Sequence, residues 1–68
     1  MELSARNQLK GRVTDVKLGG IMAEVSVEIG GGQTITAAIT RASVERLGLE
    51  VGDQVTAIIK ATEVMIGK

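Results

Sequence analysis

Apolar and polar residues alternate most regularly between Ile21 and Ile29, where every second residue is apolar and the residues between are mostly polar. A period of two predicts a β-strand with one buried and one solvated face. The alternation returns in Gln33–Thr40, and three consecutive glycines separate the two runs. Because glycine tolerates the positive φ angles of tight loops, the two runs predict a β-hairpin.

Another strand is predicted upstream, over Leu9–Leu18. Its apolar residues change parity in the middle, and such a slip predicts a β-bulge or a sharp bend near Thr14-Asp15. Downstream of the hairpin, Arg41–Leu47 predicts a short helix. Thr40 is suited to be its N-cap, and Gly48 is suited to the left-handed conformation that ends a helix.

Two more strands are predicted in the last part of the chain, over Gln54–Ala61 and Glu63–Ile66. The first of these is apolar on both faces, because Ile58 faces away from the other apolar residues, and this favours burial at a subunit contact. The resulting order of three strands, one helix and two strands is typical of a five-stranded oligomer-binding (OB) barrel. We therefore expect an all-β, OB-like barrel with one short helix between strands 3 and 4, formed by residues 1–68 as a single domain.

The composition removes several classes of function. The 68 residues include no Cys and no His, which excludes disulfides, conventional zinc or copper sites, and Ser-His or Cys-His nucleophilic mechanisms. No pair of carboxylates is placed for acid–base work, so we expect a protein that is not an enzyme. The chain also has no aromatic residue, and small scaffolds without such side chains or a covalent staple commonly rely on oligomerisation. We expect an obligate oligomer.

Charge and hydropathy narrow the choice of partners. Eight basic side chains balance eight acidic ones, and no aromatic ring is present to stack on bases, so we expect no nucleic-acid partner. No apolar run is long enough to cross a membrane, and the first residues lack the features of a signal peptide. We expect a cytoplasmic protein without a membrane partner.

Two polar segments are candidates for anion binding. Ser4–Gln8 combines a hydroxyl, a guanidinium and consecutive backbone N–H groups, and it is either a solvated arm or an anion-binding segment. Lys60 lies at the end of an apolar strand beside the small Ala61. It is either an ordinary surface lysine, with its stem on apolar neighbours, or a charge placed where an anion can approach exposed backbone. These residues alone leave both alternatives open.

The run Ser4-Ala5-Arg6-Asn7-Gln8-Leu9-Lys10-Gly11 closely resembles a motif of the molbindin family, the small cytoplasmic molybdate- and tungstate-binding proteins also called Mop domains. The resemblance continues through Ala23-Glu24-Val25, Ser43-Val44-Glu45 and Val55-Thr56-Ala57 to Lys60–Ile66. It covers essentially the whole chain.

This resemblance implies an OB-like barrel assembled as a homohexamer, a trimer of dimers, which holds a tetrahedral oxyanion between subunits. It implies a dimer-interface site formed by Ser4, Ala5 and Arg6 of one chain with Lys60 and Ala61 of a neighbour. Many family members carry Ser in place of Ala61, so this chain lacks one hydroxyl donor and keeps the backbone N–H.

The resemblance also implies a second class of site near a threefold axis, in which we place Asn7, Gly20 and Ile21. Arg46 matches an arginine that joins the site in related transcription-regulator domains, whereas other molbindins lack it. The dimer-interface site remains the principal expectation.

The chemistry of the implied ligand agrees with these residues. Molybdate is a fully deprotonated dianion at neutral pH, so a suitable pocket presents donors only, whereas the proton of hydrogen phosphate needs an acceptor. We expect bound molybdate or tungstate, no catalytic cofactor and no metal cation, in a protein of intracellular molybdenum storage and homeostasis. The alternative is a structural or regulatory oligomerisation module that senses molybdate for a partner protein.

Overall fold

The computed structural model describes residues 1–68 and consists of one antiparallel sheet, one short helix and a 3₁₀ turn. The sheet has the strand order β3-β2-β1-β4 and curls into an open, OB-like barrel. The elements are β1 (Asn7–Leu18), β2 (Met22–Gly30), β3 (Gln33–Thr40), α1 (Arg41–Leu47), β4 (Gln54–Ile59) and the 3₁₀ turn η1 (Ala61–Glu63). The predicted all-β fold with one short helix after the third strand is confirmed.

The predicted hairpin is formed by β2 and β3. The two strands pair in antiparallel register, with Val25 opposite Ala37. Gly30, Gly31 and Gly32 all have positive φ angles, of 112°, 59° and 75°. Three such residues in a row explain why the loop is built from glycine.

β1 is the longest strand and pairs with two other strands. Its first half pairs with β4 and its second half with β2, and Arg12 is shared between them. The register with β2 shifts between Val13 and Asp15, which confirms the predicted bulge. The Thr14 hydroxyl, at the bulge, donates a hydrogen bond of 3.3 Å to the carbonyl of Ser26.

The helix begins and ends where the sequence predicts. The Thr40 side chain accepts a hydrogen bond of 3.1 Å from the Ser43 N–H. Gly48 is left-handed, with φ 62°, and its N–H donates to the Glu45 carbonyl. Val44 is buried against the sheet and is the one helix residue in the core.

The core is small for the amount of apolar sequence. Only five of the 68 residues are buried, and all five are Val or Ala. Val13 is fully buried, and its backbone binds the loop before β4 through hydrogen bonds with the Asp53 carbonyl and the Gly52 N–H. Many large apolar side chains remain exposed, among them Ile58, whose predicted position on the outer face of its strand agrees with its 44% exposure.

The predicted fifth strand is wrong. β4 ends at Ile59, two residues earlier than predicted, and Ala61–Glu63 forms η1 instead of leading into another strand. The Glu63 N–H donates to the Lys60 carbonyl at 2.9 Å, and this bond turns the chain away from the sheet. Alternating hydrophobicity indicates that a segment has one apolar and one polar face. A strand also needs a neighbouring strand for its hydrogen bonds, and Val64–Lys68 has none in this chain.

Candidate functional site

The two candidate anion-binding segments leave the sheet at the same edge. Asn7, the first residue of β1, pairs with Ile59, the last residue of β4. The residues just beyond this pair are Ser4–Arg6 on one side and Lys60-Ala61 on the other. Antiparallel pairing therefore brings together segments from opposite ends of the chain.

A side-chain hydrogen bond shapes the first segment. The Gln8 amide donates to the Ala5 carbonyl at 2.7 Å, which occupies that acceptor. The backbone N–H groups of Ser4, Ala5 and Arg6 make no hydrogen bond within the chain. Ser4 and Arg6 are exposed, whereas Ala5 is half-buried. The segment thus presents free donors, and one of its carbonyl acceptors is already used.

The second segment, Lys60-Ala61, also presents hydrogen-bond donors rather than acceptors. The carbonyls of Lys60 and Ala61 accept hydrogen bonds from Glu63 and Val64, at 2.9 and 3.4 Å. The N–H groups of Ala61 and Thr62 open η1 and are not used by the hydrogen bonds of the turn itself. Acceptors are again occupied and donors are free.

The two cations of this region have no ion-pair partner. Arg41–Glu45, at 3.7 Å on the helix surface, is the one salt bridge of the chain, so Arg6 and Lys60 are unpaired. No three acidic side chains come together to form a cation site. This region has two free cations and free N–H groups, and three of its carbonyls are occupied, which favours an anion without a proton to donate.

The residues predicted for the second site are not brought together in one chain. Asn7 lies at the start of β1, whereas Gly20 and Ile21 follow its far end. The length of β1, a strand of twelve residues, separates the two positions. These residues can share a site only if different subunits provide them.

Arg41 positions the loop that contains Gly20 and Ile21, and sequence reasoning missed this role. Its N–H donates to the Ile21 carbonyl at 2.7 Å, and its guanidinium donates to the Gly19 carbonyl at 3.2 Å. The contact joins residues about twenty positions apart, and no local pattern signals it. Arg46 is exposed in the last turn of α1, where a cation interacts favourably with the helix dipole.

A concavity that borders this region has a different character. It is an apolar groove of about 720 Å³ between β3 and β4, and 13 of its 17 lining residues are hydrophobic. Lys60 and Glu63 are the charged residues at its border. An apolar groove does not suit a small dianion, so it is not the anion site.

The one α-helix, α1, has seven residues and is too short to span a membrane.

Comparison with known proteins agrees with this geometry. The TOBE domain family matches residues 3–66. Molybdenum-pterin-binding protein 1 of Clostridium pasteurianum is 56% identical over 66 residues, which are 97% of each chain.

Two solved structures are also similar. A molybdate-binding protein from Sporomusa ovata superposes with a TM-score of 0.93 at 41% identity and full coverage of both chains. The cytoplasmic molybdate-binding protein ModG, solved with molybdate bound, gives a TM-score of 0.85 at 43% identity over 90% of this chain and 43% of its own. These relatives are binding proteins, which confirms the prediction that the chain is not an enzyme. Since the family model and full-length relatives span nearly every residue, the chain belongs to the molbindin (Mop) family of TOBE domains.

Proposed function

We propose that this protein binds molybdate at a site formed by Ser4, Ala5 and Arg6 together with Lys60 and Ala61. The observation that carries the proposal is the meeting of two segments in which the carbonyls of Ala5, Lys60 and Ala61 are used, while backbone donors and both cations are free. A fully deprotonated oxyanion accepts hydrogen bonds at every oxygen and offers none, so it matches this set. The names of the relatives support the same ligand.

Tungstate has the same charge and tetrahedral shape, so the same donors serve it. Charge-assisted hydrogen bonds contribute about 1.5–3 kcal/mol each. Four or five of them, less the cost of desolvation and ordering, are enough for micromolar or tighter binding. Ala61 contributes its N–H alone, so the cations at Arg6 and Lys60 carry a larger share of the binding energy.

The two segments leave the same edge of each chain. The sites lie where the edges of two chains meet in a homohexamer, a trimer of dimers, so that Ser4–Arg6 of one chain also faces Lys60-Ala61 of a neighbour. The exposed area supports an assembly. The chain exposes 5363 Å², whereas a folded monomer of 7.1 kDa exposes about 4,100 Å² by the usual mass scaling. In a hexamer, Asn7 of one subunit and the loop at Gly20 and Ile21 of another can meet to form the second class of site.

The biological role that fits this ligand is storage and homeostasis of molybdenum in the cytoplasm. ModG, which is described as cytoplasmic, supports this location. The site is proposed to bind the anion without reacting with it, because no His or carboxylate of the proposed site could activate the Ser4 hydroxyl as a nucleophile.

Titration calorimetry of the assembled protein with molybdate tests the proposal. Lys60→Ala removes one charge-assisted hydrogen bond and is expected to weaken the tight class of sites roughly 10- to 150-fold. Lys17→Ala is the matched control, because it removes the same charge from the far half of β1. It is expected to leave that affinity unchanged.

Two results would contradict the proposal. If titration with molybdate gives no heat while the oligomer stays intact, the protein does not bind molybdate. If Lys60→Ala and Lys17→Ala weaken molybdate binding equally, the assigned site is wrong, because general electrostatic attraction would then explain the binding. Sulfate is expected to bind at least about tenfold more weakly than molybdate, and equal affinity would remove the selectivity.

A further inference from the structure

The Ala5 carbonyl differs from the other occupied acceptors of the candidate site in the kind of donor that it binds. The carbonyls of Lys60 and Ala61 accept from backbone N–H groups and belong to the turn η1 itself. The Ala5 carbonyl instead accepts from a side chain, the Gln8 amide, at 2.7 Å. A single substitution of Gln8 therefore frees this acceptor without a change in the backbone.

The sheet holds the backbone of Gln8 in place. Gln8 is the second residue of β1 and pairs with Ile58 of β4. Its side chain reaches back three residues to Ala5, which lies outside the strand. A carbonyl can accept only from the nitrogen of an amide side chain, so the contact turns the Gln8 nitrogen toward Ala5 and keeps the amide oxygen away from that carbonyl.

We propose that Gln8 is a specificity-determining residue, which covers the Ala5 carbonyl so that a protonated oxyanion finds no acceptor there. The inference rests on the proposed function, because it takes Ala5 to be part of the anion site. It adds a residue that acts on the choice of anion through the Ala5 backbone and does not need to touch the anion itself.

The protons of three tetrahedral anions explain what a covered carbonyl does. Molybdate and sulfate carry no proton at neutral pH, so each of their oxygens can only accept a hydrogen bond. At mildly alkaline pH phosphate is mostly a dianion that keeps one proton, and its hydroxyl needs an acceptor. A donor that leaves water without gaining a partner costs free energy. With the Ala5 carbonyl covered, phosphate bears this cost, whereas molybdate and sulfate do not.

The properties of the two residues suit this role. Ala5 is half-buried and has no polar side chain, so its carbonyl is the one acceptor that it can offer. Gln8 is exposed, so its replacement opens no cavity in the core. The amide is also neutral, so it covers the carbonyl without raising the affinity of the site for every dianion. Its effect therefore falls on the proton of the anion and not on its charge.

A comparison of three anions tests the inference. Gln8→Met nearly keeps the length of the side chain and removes the donor. Affinities for molybdate, sulfate and phosphate are measured by titration calorimetry at one mildly alkaline pH and one ionic strength, and sedimentation confirms that the oligomer is unchanged. The ratio of sulfate affinity to phosphate affinity is expected to fall about three- to tenfold in Gln8→Met, the contribution of one hydrogen bond. The ratio of molybdate affinity to sulfate affinity is expected to stay within about twofold, because neither anion has a proton.

Two further variants make the comparison specific. Gln33→Met is the matched control, because it makes the same substitution at the exposed glutamine that begins β3. It is expected to leave both ratios unchanged. Gln8→Glu keeps the shape of the side chain, but its carboxylate only accepts hydrogen bonds at this pH. Its added charge weakens all three dianions alike, and the ratio of sulfate affinity to phosphate affinity is expected to fall at least as far as in Gln8→Met.

Nuclear magnetic resonance tests the cover without any anion. The resonance of the Ala5 carbonyl carbon is expected to move upfield in Gln8→Met, because the carbonyl loses a hydrogen bond. The same resonance is expected to stay in place in Gln33→Met. If the Ala5 resonance is identical in Gln8→Met and in the native chain, Gln8 does not cover the carbonyl in solution and the inference is wrong.

The outcomes distinguish this inference from the proposed function. If the native protein gives no heat with molybdate, the proposed function is wrong and the inference fails with it. If the native protein binds molybdate and Gln8→Met keeps the native ratio of sulfate affinity to phosphate affinity, the inference alone is wrong. The Ser4 carbonyl, which makes no backbone hydrogen bond within the chain, would then supply the acceptor. A rise in this ratio also overturns the inference, because the Gln8 amide oxygen would then be the acceptor for phosphate.

Discussion

Gly11→Ala is expected to destabilise the protein, because β1 and β2 approach each other too closely at this point for a side chain. A Cβ at Gly11 would lie 2.4 Å from the Glu28 carbonyl oxygen and 2.6 Å from a methyl carbon of Val27. The nearer atom belongs to the backbone, and the pairing of Arg12 with Glu28 holds it in place. The strands therefore have to separate locally to admit the methyl group.

The size of the effect follows from two opposing contributions. Overpacking costs about 1–3 kcal/mol, whereas the lower entropy of the unfolded chain with Ala returns about 0.4–1 kcal/mol. The net loss is about 1–2 kcal/mol, which corresponds to a fall in Tm of about 4–16 °C for a chain of this size. Urea unfolding followed by circular dichroism measures it, at one fixed protein concentration because assembly contributes to stability.

Gly20→Ala is the matched control for this change. Nothing lies within 4 Å of a Cβ at Gly20, and its φ angle is not positive. The control is expected to unfold within about 0.5 kcal/mol of the native chain. If Gly11→Ala and Gly20→Ala unfold at the same urea concentration, the close approach of β1 and β2 is not a constraint and the reasoning is refuted.

Further predictions concern the helix cap and the loop after β1. Thr40→Ala removes the hydrogen bond to the Ser43 N–H and is expected to cost about 1 kcal/mol in urea unfolding, whereas Thr40→Ser keeps the cap and loses only a few tenths. An equal loss in both variants would show that the methyl group of Thr40, and not its hydroxyl, matters. Arg41→Lys loses the geometry of the guanidinium contact with Gly19, so amide exchange is expected to accelerate in residues 19–21 while the unfolding free energy changes by less than about 0.5 kcal/mol. Unchanged exchange at those amides would show that the Arg41 side chain does not hold the loop.

The fold was largely predictable because its local signals agree with one another. Alternation locates β2 and β3, and the Thr40 and Gly48 caps locate α1, since each depends on residues close in the chain. The parity slip in β1 predicts the bulge for the same reason. The fifth strand could not be judged this way, because whether Val64–Ile66 reaches a free edge of the sheet depends on the direction in which η1 turns the chain.

For the candidate site, the sequence proposes residues but not their geometry. Polarity and the family resemblance single out Ser4–Arg6 and Lys60-Ala61. That the Gln8 amide occupies the Ala5 carbonyl, and that η1 occupies the carbonyls of Lys60 and Ala61, depends on side-chain and backbone geometry that no sequence pattern encodes. The hydrogen bonds by which Arg41 holds the loop after β1 could not be predicted, for the same reason.

The division of β1 between two partners has a consequence for the order of folding. The β1–β2–β3 meander joins neighbours in sequence, whereas the pairing of Asn7 with Ile59 closes a loop that contains most of the chain. Contacts between distant residues carry a larger entropic cost and form more slowly. We therefore expect the meander to form first and β4 to dock last. The edge that carries Ser4–Arg6 and Lys60-Ala61 then closes last in folding and opens first in unfolding.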